Sequence, residues 1–208
     1  MMDLLMGTSN PGKLREYAVL LAELGAKLVS PRDVGLEGLE VEEPFETFEE
    51  NAAHKARAYA QASGLIAFAD DSGVVVDALG GRPGVYSARY GGPTDRDRYM
   101  KLLGELDGVP DAKRTARFVC IAAVADPRRD LVETAAGTVE GVIADEPGEN
   151  LNGFGYDAVF IPEGYDRVFS ALPMDEKNTI SHRGRAVRAL IPALRRLLAH
   201  WLEQRLDS

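Results

Sequence analysis

Residues 7–14 read GTSNPGKL and form the first stretch whose residue types and spacing could bind a phosphate group. Both glycines and the lysine match the G-x-x-x-x-G-K pattern of a P-loop, but Leu14 stands where a Ser or Thr would hold magnesium. Backbone N–H groups and the positive end of a following helix favour an anion at such a place. Asn10 followed by Pro11 also suits an ordinary helix start, so this stretch alone leaves phosphate binding and helix capping equally open.

Two pairs of neighbouring carboxylates could hold a metal ion. Asp70 and Asp71 follow the apolar residues 65–69, and the end of a strand is a usual place for a carboxylate that faces a cleft. Glu42 and Glu43 lie within residues 33–53, which contain eight carboxylates and neither Lys nor Arg. Magnesium takes oxygen ligands, usually one or two carboxylates completed by water and phosphate. Adjacent Asp residues also serve as turn or capping groups, and a run of Glu also forms a solvated face.

Residues 153–157 read GFGYD and place two aromatic rings and a carboxylate in a glycine-lined turn. An aromatic ring can stack on a planar base while polar groups read the edge of that base. Phe154 and Tyr156 also suit plain core positions at the entrance to a strand. The turn is therefore a candidate nucleobase pocket with a core alternative.

A basic cluster lies in EKNTISHRGRA, residues 176–186, where Lys177, His182 and Arg183 surround the predicted helix cap Ser181. Cations at a helix start oppose the helix dipole, so an anionic ligand would explain their position. An exposed basic turn is the alternative.

A mixed α/β fold is expected to position these groups. Apolar alternation predicts strands at residues 4–6, 27–29, 65–69, 74–76, 115–125, 131–143 and 156–161. Helical periodicity and caps predict helices at residues 13–24, 47–63 and 94–106, and a last helix that begins at Ser181 and is interrupted at Pro192. Long strands with scattered helices indicate a mixed sheet rather than a strict βαβ repeat.

The bulk properties of the chain limit its partners and its location. Its 208 residues suffice for one large domain or two lobes, and a net charge of −9 argues against general binding to nucleic acid. Cys120 is the only cysteine, which excludes an intrachain disulfide and a cysteine-based metal site. No apolar run approaches membrane-spanning length, and the first residues are too short for a signal peptide. We expect a cytoplasmic protein with no membrane partner.

Six motifs occur in one order along the chain: TSNPGK, FEENAAHKA, ADDSG, GGRPGVYSARYGG, GFGYD and SHR. This order resembles the inosine/xanthosine triphosphate pyrophosphatases, house-cleaning enzymes that remove deaminated purine nucleotides, and the match extends from Thr8 to about Arg185. The resemblance identifies GTSNPGKL as this family's own phosphate loop. Leu14 is then no defect, because carboxylates elsewhere hold the metal.

The resemblance implies a fold and a reaction. The fold is an elongated mixed β-sheet flanked by helices, with two lobes around a nucleotide-binding cleft, as a single domain over residues 1–208 that forms a homodimer. The reaction is Mg²⁺-dependent hydrolysis of ITP, dITP and XTP to the monophosphate and pyrophosphate, with ATP and GTP handled poorly.

The resemblance also assigns roles to individual residues. The triphosphate ligands would be Thr8, Ser9, Asn10, Pro11, Gly12, Lys13 and Lys55. The ligands of the base and the rest of the nucleotide would be Ser72, Phe154, Gly155, Tyr156, Asp157, Lys177, His182 and Arg183. Asp71 would be both a magnesium ligand and the general base that activates water. Glu42 would be the second metal ligand, with Glu43 as the alternative, because Pro44 stands where relatives commonly have Thr.

Three other functions fit parts of the sequence. A P-loop NTPase or kinase would use Lys13 and the Asp70 strand, and it would leave GFGYD and SHR without a role. A non-catalytic nucleotide-binding module would bind ligand without turnover. A related family of pyrophosphatases acts on other abnormal nucleotides, but the aromatic–Asp turn and SHR favour the purine version.

Overall fold

The structure, a computed structural model, describes residues 2–206. Six strands form one sheet in the order β2-β1-β3-β4-β5-β6. The strands are β1 (Asp3–Met6), β2 (Lys27–Val29), β3 (Ala67–Val76), β4 (Thr115–Asp126), β5 (Leu131–Ile143) and β6 (Phe160–Pro162). The pairing is mixed, because β1 runs parallel to both β2 and β3 whereas β5 and β6 run antiparallel. The predicted mixed α/β sheet is therefore confirmed.

Five α-helices accompany the sheet: α1 (Pro11–Leu20), α2 (Phe48–Ser63), α3 (Asp95–Glu105), α4 (Met174–Ile180) and α5 (His182–Leu206). The predicted cap Thr47 accepts the backbone N–H of Glu50, and its hydroxyl donates to the Glu50 carboxylate at 2.6 Å. Gly64 ends α2 in the left-handed conformation that glycine adopts readily, with φ of 68°. No helix among the described residues is long and apolar enough to span a membrane.

The last helix differs from the prediction at Pro192. The proline was expected to interrupt it, but α5 continues through that residue. Pro192 cannot donate one backbone hydrogen bond of the helix. Leu190 and Leu194, on either side of the proline, are both buried, and their packing compensates for the missing bond. The short helix α4 was not predicted.

Strand β3 is longer than predicted. The sequence predicts two strands, residues 65–69 and 74–76, whereas β3 is continuous over Ala67–Val76. Pairing between two neighbours inside the sheet overrides the local preference of Asp, Ser and Gly for turns. Asp70 and Asp71 therefore lie within a strand rather than after one, and both are buried.

The chain divides into two compact units. Unit 1 comprises the residues up to Asp71, Ile121–Gly137 and the residues from Gly184 onward. Unit 2 comprises Ser72–Cys120 and Thr138–Arg183. The chain passes from one unit to the other within β3, β4, β5 and α5. That residues 1–208 act as a single domain stays a prediction.

Each unit has its own hydrophobic core. In unit 1, small residues of α2 such as Ala52 and Ala56 pack with Leu5 and Ala67, which brings the helix close to the strands. In unit 2 the core is aromatic, and the ring centres of Phe118 and Phe160 lie 4.5 Å apart. The unit 1 core places the polar side of α2 beside β3, where the candidate metal ligands lie.

Candidate functional site

Residues 7–10 form the turn between β1 and α1 in unit 1, and residues 11–13 begin α1. Asn10 caps α1, because its Oδ1 accepts the backbone N–H groups of Gly12 and Lys13 at 2.8 and 3.1 Å. Pro11 occupies the first position of the helix, where its missing N–H costs nothing. Helix capping, one of the two interpretations of this stretch, is confirmed, and phosphate binding by the same turn stays a prediction.

Gly7, at the start of that turn, is packed against β3. Its N–H donates to the Phe68 carbonyl at 2.6 Å. A Cβ at this position would lie 2.6 Å from the Tyr59 ring and 3.1 Å from the Phe68 carbonyl oxygen. No side chain fits there without displacement, so the close approach of loop and strand requires glycine.

Two lysines reach the carboxylates of unit 1. Lys13 Nζ, from α1, lies 2.9 Å from Asp70 Oδ2. Lys55 Nζ, from α2, donates to the backbone carbonyl of Asp70 at 2.9 Å and pairs with Glu43. We call Lys13, Glu43, Lys55, Asp70 and Asp71 the carboxylate cluster. A loop, two helices and one strand contribute to it, so the fold assembles it from segments that are far apart in sequence.

Asn51 on α2 ties Asp71 to the acidic segment. Its Nδ2 donates to Asp71 Oδ2 and to the Phe45 carbonyl, each at 3.1 Å, and its Oδ1 accepts the Phe45 N–H at 3.0 Å. Asn51 is fully buried. Asn51 lies within the FEENAAHKA motif, but its type and spacing predict no role for it, because its partner Asp71 lies 20 residues away in sequence.

Charge and burial shift the protonation equilibria of the cluster. Burial and repulsion by Glu43 raise the pKa of Asp71 from 3.8 to about 6, against the attraction of Lys55 and Lys13. Burial alone would lower the pKa of Lys55, but the attraction of Glu43 and Asp70 outweighs it and raises that pKa above 10.5. Asp71 is thus mostly ionised at neutral pH, although burial and its acidic neighbours disfavour the charged form.

The cluster fits a hard divalent cation. Within residues 2–206, no three His, Cys, Asp or Glu side chains form a ready-made metal cage. Magnesium requires only one or two carboxylates when water and phosphate complete its shell. A cation beside Asp71 would offset the repulsion from Glu43 that raises the Asp71 pKa. Glu42 is exposed, whereas Glu43 is half-buried, pairs with Lys55 and raises the pKa of Asp71 by charge repulsion.

The GFGYD turn lies in unit 2, and hydrogen bonds from several segments hold it. The Phe154 N–H donates to Asp157 Oδ2 at 3.0 Å, and the Gly155 N–H donates to Asp95 Oδ2 at 2.7 Å. The Tyr156 hydroxyl, which is buried, donates to the Ser87 carbonyl at 2.9 Å. Tyr156 belongs to the unit 2 core, as the core alternative predicts, whereas the half-buried Phe154 ring does not.

Lys177 and Arg183 approach the Phe154 ring. Lys177 Nζ pairs with Asp157 Oδ2 at 2.7 Å and lies 5.4 Å from the centre of the Phe154 ring. The guanidinium carbon of Arg183 lies over the same ring at 4.6 Å, and Arg183 Nη2 donates to Ser72 Oγ at 3.2 Å. Both cations are buried, so the exposed basic turn, which was the alternative, is wrong.

His182 is fully buried and stacks on Phe118, with ring centres 4.6 Å apart and an interplanar angle of 10°. Its side chain therefore packs in the aromatic interior of unit 2. We call Ser72, Phe154, Asp157, Lys177 and Arg183 the aromatic–cation cluster. Contact of any of these side chains with a base stays a prediction.

The structure thus sorts the predicted residues into two groups. Unit 1 holds residues 8–13, Lys55 and Asp71, and unit 2 holds Ser72, the GFGYD turn and the SHR cations. Asn51 and Asp95 were missed, because neither stands out by type or spacing.

The chain thus combines a mixed α/β sheet with a capped turn after β1 and a buried carboxylate cluster. The Ham1 family model matches residues 4–193, and the chain belongs to the Ham1 family. The resemblance that the six sequence motifs predict is confirmed.

Individual relatives are similar over nearly their whole length. The dITP/XTP pyrophosphatase of Desulforamulus reducens is 47% identical over 203 residues, which cover 96% of this chain and 98% of the relative. That of Bacillus subtilis is 46% identical over 192 residues, covering 91% and 96%.

Solved structures show the same similarity. A HAM1 protein from Coxiella burnetii superposes with a TM-score of 0.82 at 39% identity, covering 93% of this chain and 98% of that one. The nucleoside-triphosphatase, dITP/XTP pyrophosphatase, of Mycobacterium abscessus superposes with a TM-score of 0.72 at 43% identity, covering 92% and 100%.

Proposed function

We propose that this chain hydrolyses the non-canonical purine nucleoside triphosphates ITP, dITP and XTP to the monophosphate and pyrophosphate, and so removes them from the nucleotide pool. Relatives named dITP/XTP pyrophosphatase, at 47% and 46% identity over nine-tenths or more of this chain, support this activity. The structural observation that carries this proposal is the buried Asp71 carboxylate. Glu43 raises its pKa, and Lys55 and Lys13 lower it. A hydrolase of phosphoanhydrides needs cations for the phosphates and a carboxylate for metal and water, and this cluster contains both.

The triphosphate is bound by residues 8–13 and by Lys55. With a net charge of −9, the chain has no general positive field for a polyanion, so local cations must do this work. Lys13 and Lys55 are held by Asp70 and Glu43 at the distances of ion pairs. These held cations stabilise the negative charge that develops on the leaving pyrophosphate.

The metal is Mg²⁺, held by Asp71 and a glutamate of the acidic segment. Glu43 is favoured for this role over Glu42, the first choice from the sequence, because Glu43 is the one that acts on Asp71. When bound, Mg²⁺ would neutralise phosphate charge and polarise a phosphoryl oxygen of the substrate. Asn51 keeps the Asp71 carboxylate oriented through its bond at 3.1 Å.

Asp71 is also the general base. A pKa of about 6 leaves the carboxylate mostly ionised at neutral pH while making it more basic than an ordinary Asp. In the metal-free protein the ionised Asp71 is therefore able to accept a proton from water near neutral pH.

The base is read in unit 2. The Arg183 guanidinium stacks on one face of the Phe154 ring. We assign the other face of the ring to the purine. Arg183, Lys177 and His182 supply N–H donors for a 6-keto oxygen, with Gly155, Tyr156 and Asp157 shaping the turn and Ser72 touching the nucleotide. Adenine carries an amino group at that position, and two donors facing each other leave buried polar groups unpaired, which is expensive.

The remaining expectations concern assembly and location. We propose a homodimer of single-domain chains in the cytoplasm, with the nucleotide as the ligand and without nucleic-acid or membrane partners. Light scattering at micromolar concentration tests the dimer, and the mass of one chain would contradict it.

Steady-state kinetics on a panel of nucleotides test the substrate class. The panel contains ITP, dITP, XTP, GTP, ATP and CTP, each with excess Mg²⁺. We expect kcat/KM to be highest for ITP, dITP and XTP and at least about 100-fold lower for ATP, whose 6-amino group would leave buried donors unpaired. GTP, which shares the 6-keto oxygen and differs at position 2, and CTP should also be used less well. Equal use of ATP and ITP would contradict base selection. Hydrolysis confined to CTP would favour the related pyrophosphatases of other abnormal nucleotides.

A further inference from the structure

Asp95, at the first position of α3, makes a contact that the proposed mechanism does not use. Its Oδ2 accepts the Gly155 N–H at 2.7 Å, across 60 residues of sequence. Its Oδ1 accepts from Arg98 Nη1 at 2.8 Å. Each carboxylate oxygen of Asp95 thus has its own partner, and a carboxylate held by two charge-assisted or short bonds has a fixed orientation.

Arg98 is itself anchored, which makes Asp95 a rigid support. Arg98 Nη2 donates to the Pro93 carbonyl at 2.7 Å, and Arg98 Nε donates to the Gly92 carbonyl at 3.4 Å. The segment before α3, the start of α3 and the Gly155 backbone are thereby connected through Asp95.

Two consecutive N–H groups of the GFGYD turn are held by carboxylates from different segments. Asp157 holds the Phe154 N–H from within the turn, and Asp95 holds the Gly155 N–H from α3. Gly155 has a φ of 62°, a conformation that glycine adopts without strain. Because glycine has no Cβ, its backbone is also more flexible than that of other residues. The external bond from Asp95 restricts that flexibility directly beside the Phe154 ring.

We infer that Asp95 is a positioning residue for the purine, because it fixes the Gly155 backbone and thereby the plane of the Phe154 ring. The inference rests on the proposed function, in which Phe154 stacks on the base. Asp95 does not touch the substrate. Its loss loosens the aromatic platform, so substrate binding weakens while the chemistry at Asp71 proceeds as before.

The test compares Asp95→Ala with a control from the same helical turn. Asp97 completes the capping box of α3. Its carboxylate accepts the Thr94 N–H at 3.1 Å, and its own backbone N–H donates to the Thr94 hydroxyl. Asp97→Ala therefore weakens the start of α3 without removing the bond to Gly155. Asp95→Ser, whose side chain is too short to reach Gly155, is a second removal variant, and Asp95→Asn keeps an acceptor oxygen.

We expect Asp95→Ala and Asp95→Ser to raise the KM for ITP about tenfold with kcat within about twofold, the pattern of lost binding rather than lost chemistry. The KM of Asp95→Asn for ITP should stay within about threefold of the wild-type value, because a neutral hydrogen bond keeps part of the strength of a charged one. Asp97→Ala should lower Tm without raising KM. Equal KM increases in Asp95→Ala and Asp97→Ala would overturn the inference.

Hydrogen exchange of the Gly155 amide in the ligand-free protein gives a second readout that is independent of turnover. Asp95→Ala should accelerate this exchange by about tenfold or more, and Asp97→Ala should not. Unchanged exchange in Asp95→Ala would overturn the positioning role. If the unchanged protein does not hydrolyse ITP, the proposed function fails, and the exchange rates alone then decide whether Asp95 fixes Gly155.

Discussion

Lys177 donates to Asp157 across 2.7 Å, and the two side chains are 0% and 2% exposed. Asp157 also accepts the Phe154 N–H, so this buried pair supports the turn that carries the aromatic ring. Lys177 and Asp157, both predicted from the sequence as ligands of the base, therefore form a buried ion pair with each other. Their effect on substrate binding and their effect on stability are linked.

Lys177→Met should destabilise the protein strongly. It leaves the Asp157 carboxylate buried without a counter-charge, which costs about 3–5 kcal/mol. The double variant Lys177→Met with Asp157→Asn removes both charges and should recover a large part of that loss. Urea unfolding of the two variants measures the difference, and a double variant as unstable as the single one would show that the pair is not the cause.

The two neighbouring glutamates can be separated by a matched pair of substitutions. Glu43→Gln should raise the Mg²⁺ concentration for half-maximal ITP hydrolysis by about tenfold or more, because it removes a proposed ligand and the partner of Lys55. Glu42→Gln changes an exposed charge and should shift that concentration by less than about twofold. Magnesium titrations of both variants decide between them. A larger shift for Glu42→Gln would restore the first choice made from the sequence.

Asp71→Asn should abolish turnover and stabilise the metal-free protein at high pH. The pKa of Asp71 rises on folding from 3.8 to about 6, so between these values the folded chain holds a proton that the unfolded chain has lost. Stability from this group is therefore fully present below pH 4 and falls as pH rises through about 6, by on the order of 1–3 kcal/mol.

Chemical denaturation in the presence of a chelator measures this effect. The stability of Asp71→Asn relative to the unchanged protein should increase from pH 4 to pH 8, because Asn cannot ionise. A difference that is constant with pH would contradict the raised pKa. Retained turnover in Asp71→Asn would remove Asp71 as the general base.

Gly7→Ala tests the close contact between the phosphate turn and β3. Its methyl group would meet the Tyr59 ring at 2.6 Å, and such overpacking costs about 1–3 kcal/mol. Gly104→Ala is the control, because Gly104 lies in α3 with nothing within 4 Å of the added Cβ, and alanine there should stabilise by about 0.5–1 kcal/mol. Melting curves of both variants should move in opposite directions. A neutral Gly7→Ala would show that the loop has room to shift.

The sequence predicts best what local pattern determines. The short strands β1 and β2, the long strands β4 and β5 and the caps Asn10 and Thr47 follow from apolar alternation and cap chemistry. It fails at β3, where Asp70 and Asp71 resemble a turn and are held extended by pairing on both sides. Local preference is weak beside the pairing of a central strand.

The site shows the same division. Asp71, Lys13 and Lys55 stand out by motif, but which charges they meet depends on the packing of α1, α2 and β3. Asn51 and Asp95 act through bonds that join residues 20 and 60 positions apart, and no local pattern marks them. The choice between Glu42 and Glu43 likewise needs the fold, because two adjacent residues of the same type differ here in burial and in the ion pair of Glu43 with Lys55.

Product analysis of dITP hydrolysis tests the central claim most directly. Phosphorus NMR of the reaction with Mg²⁺ distinguishes the two anhydride bonds that could break. We predict dIMP and pyrophosphate in equal amounts, with Asp71→Asn giving no product. Formation of dIDP and orthophosphate would indicate a P-loop type of NTPase, and binding of dITP without any product would indicate a nucleotide-binding module. Either result would contradict the assignment.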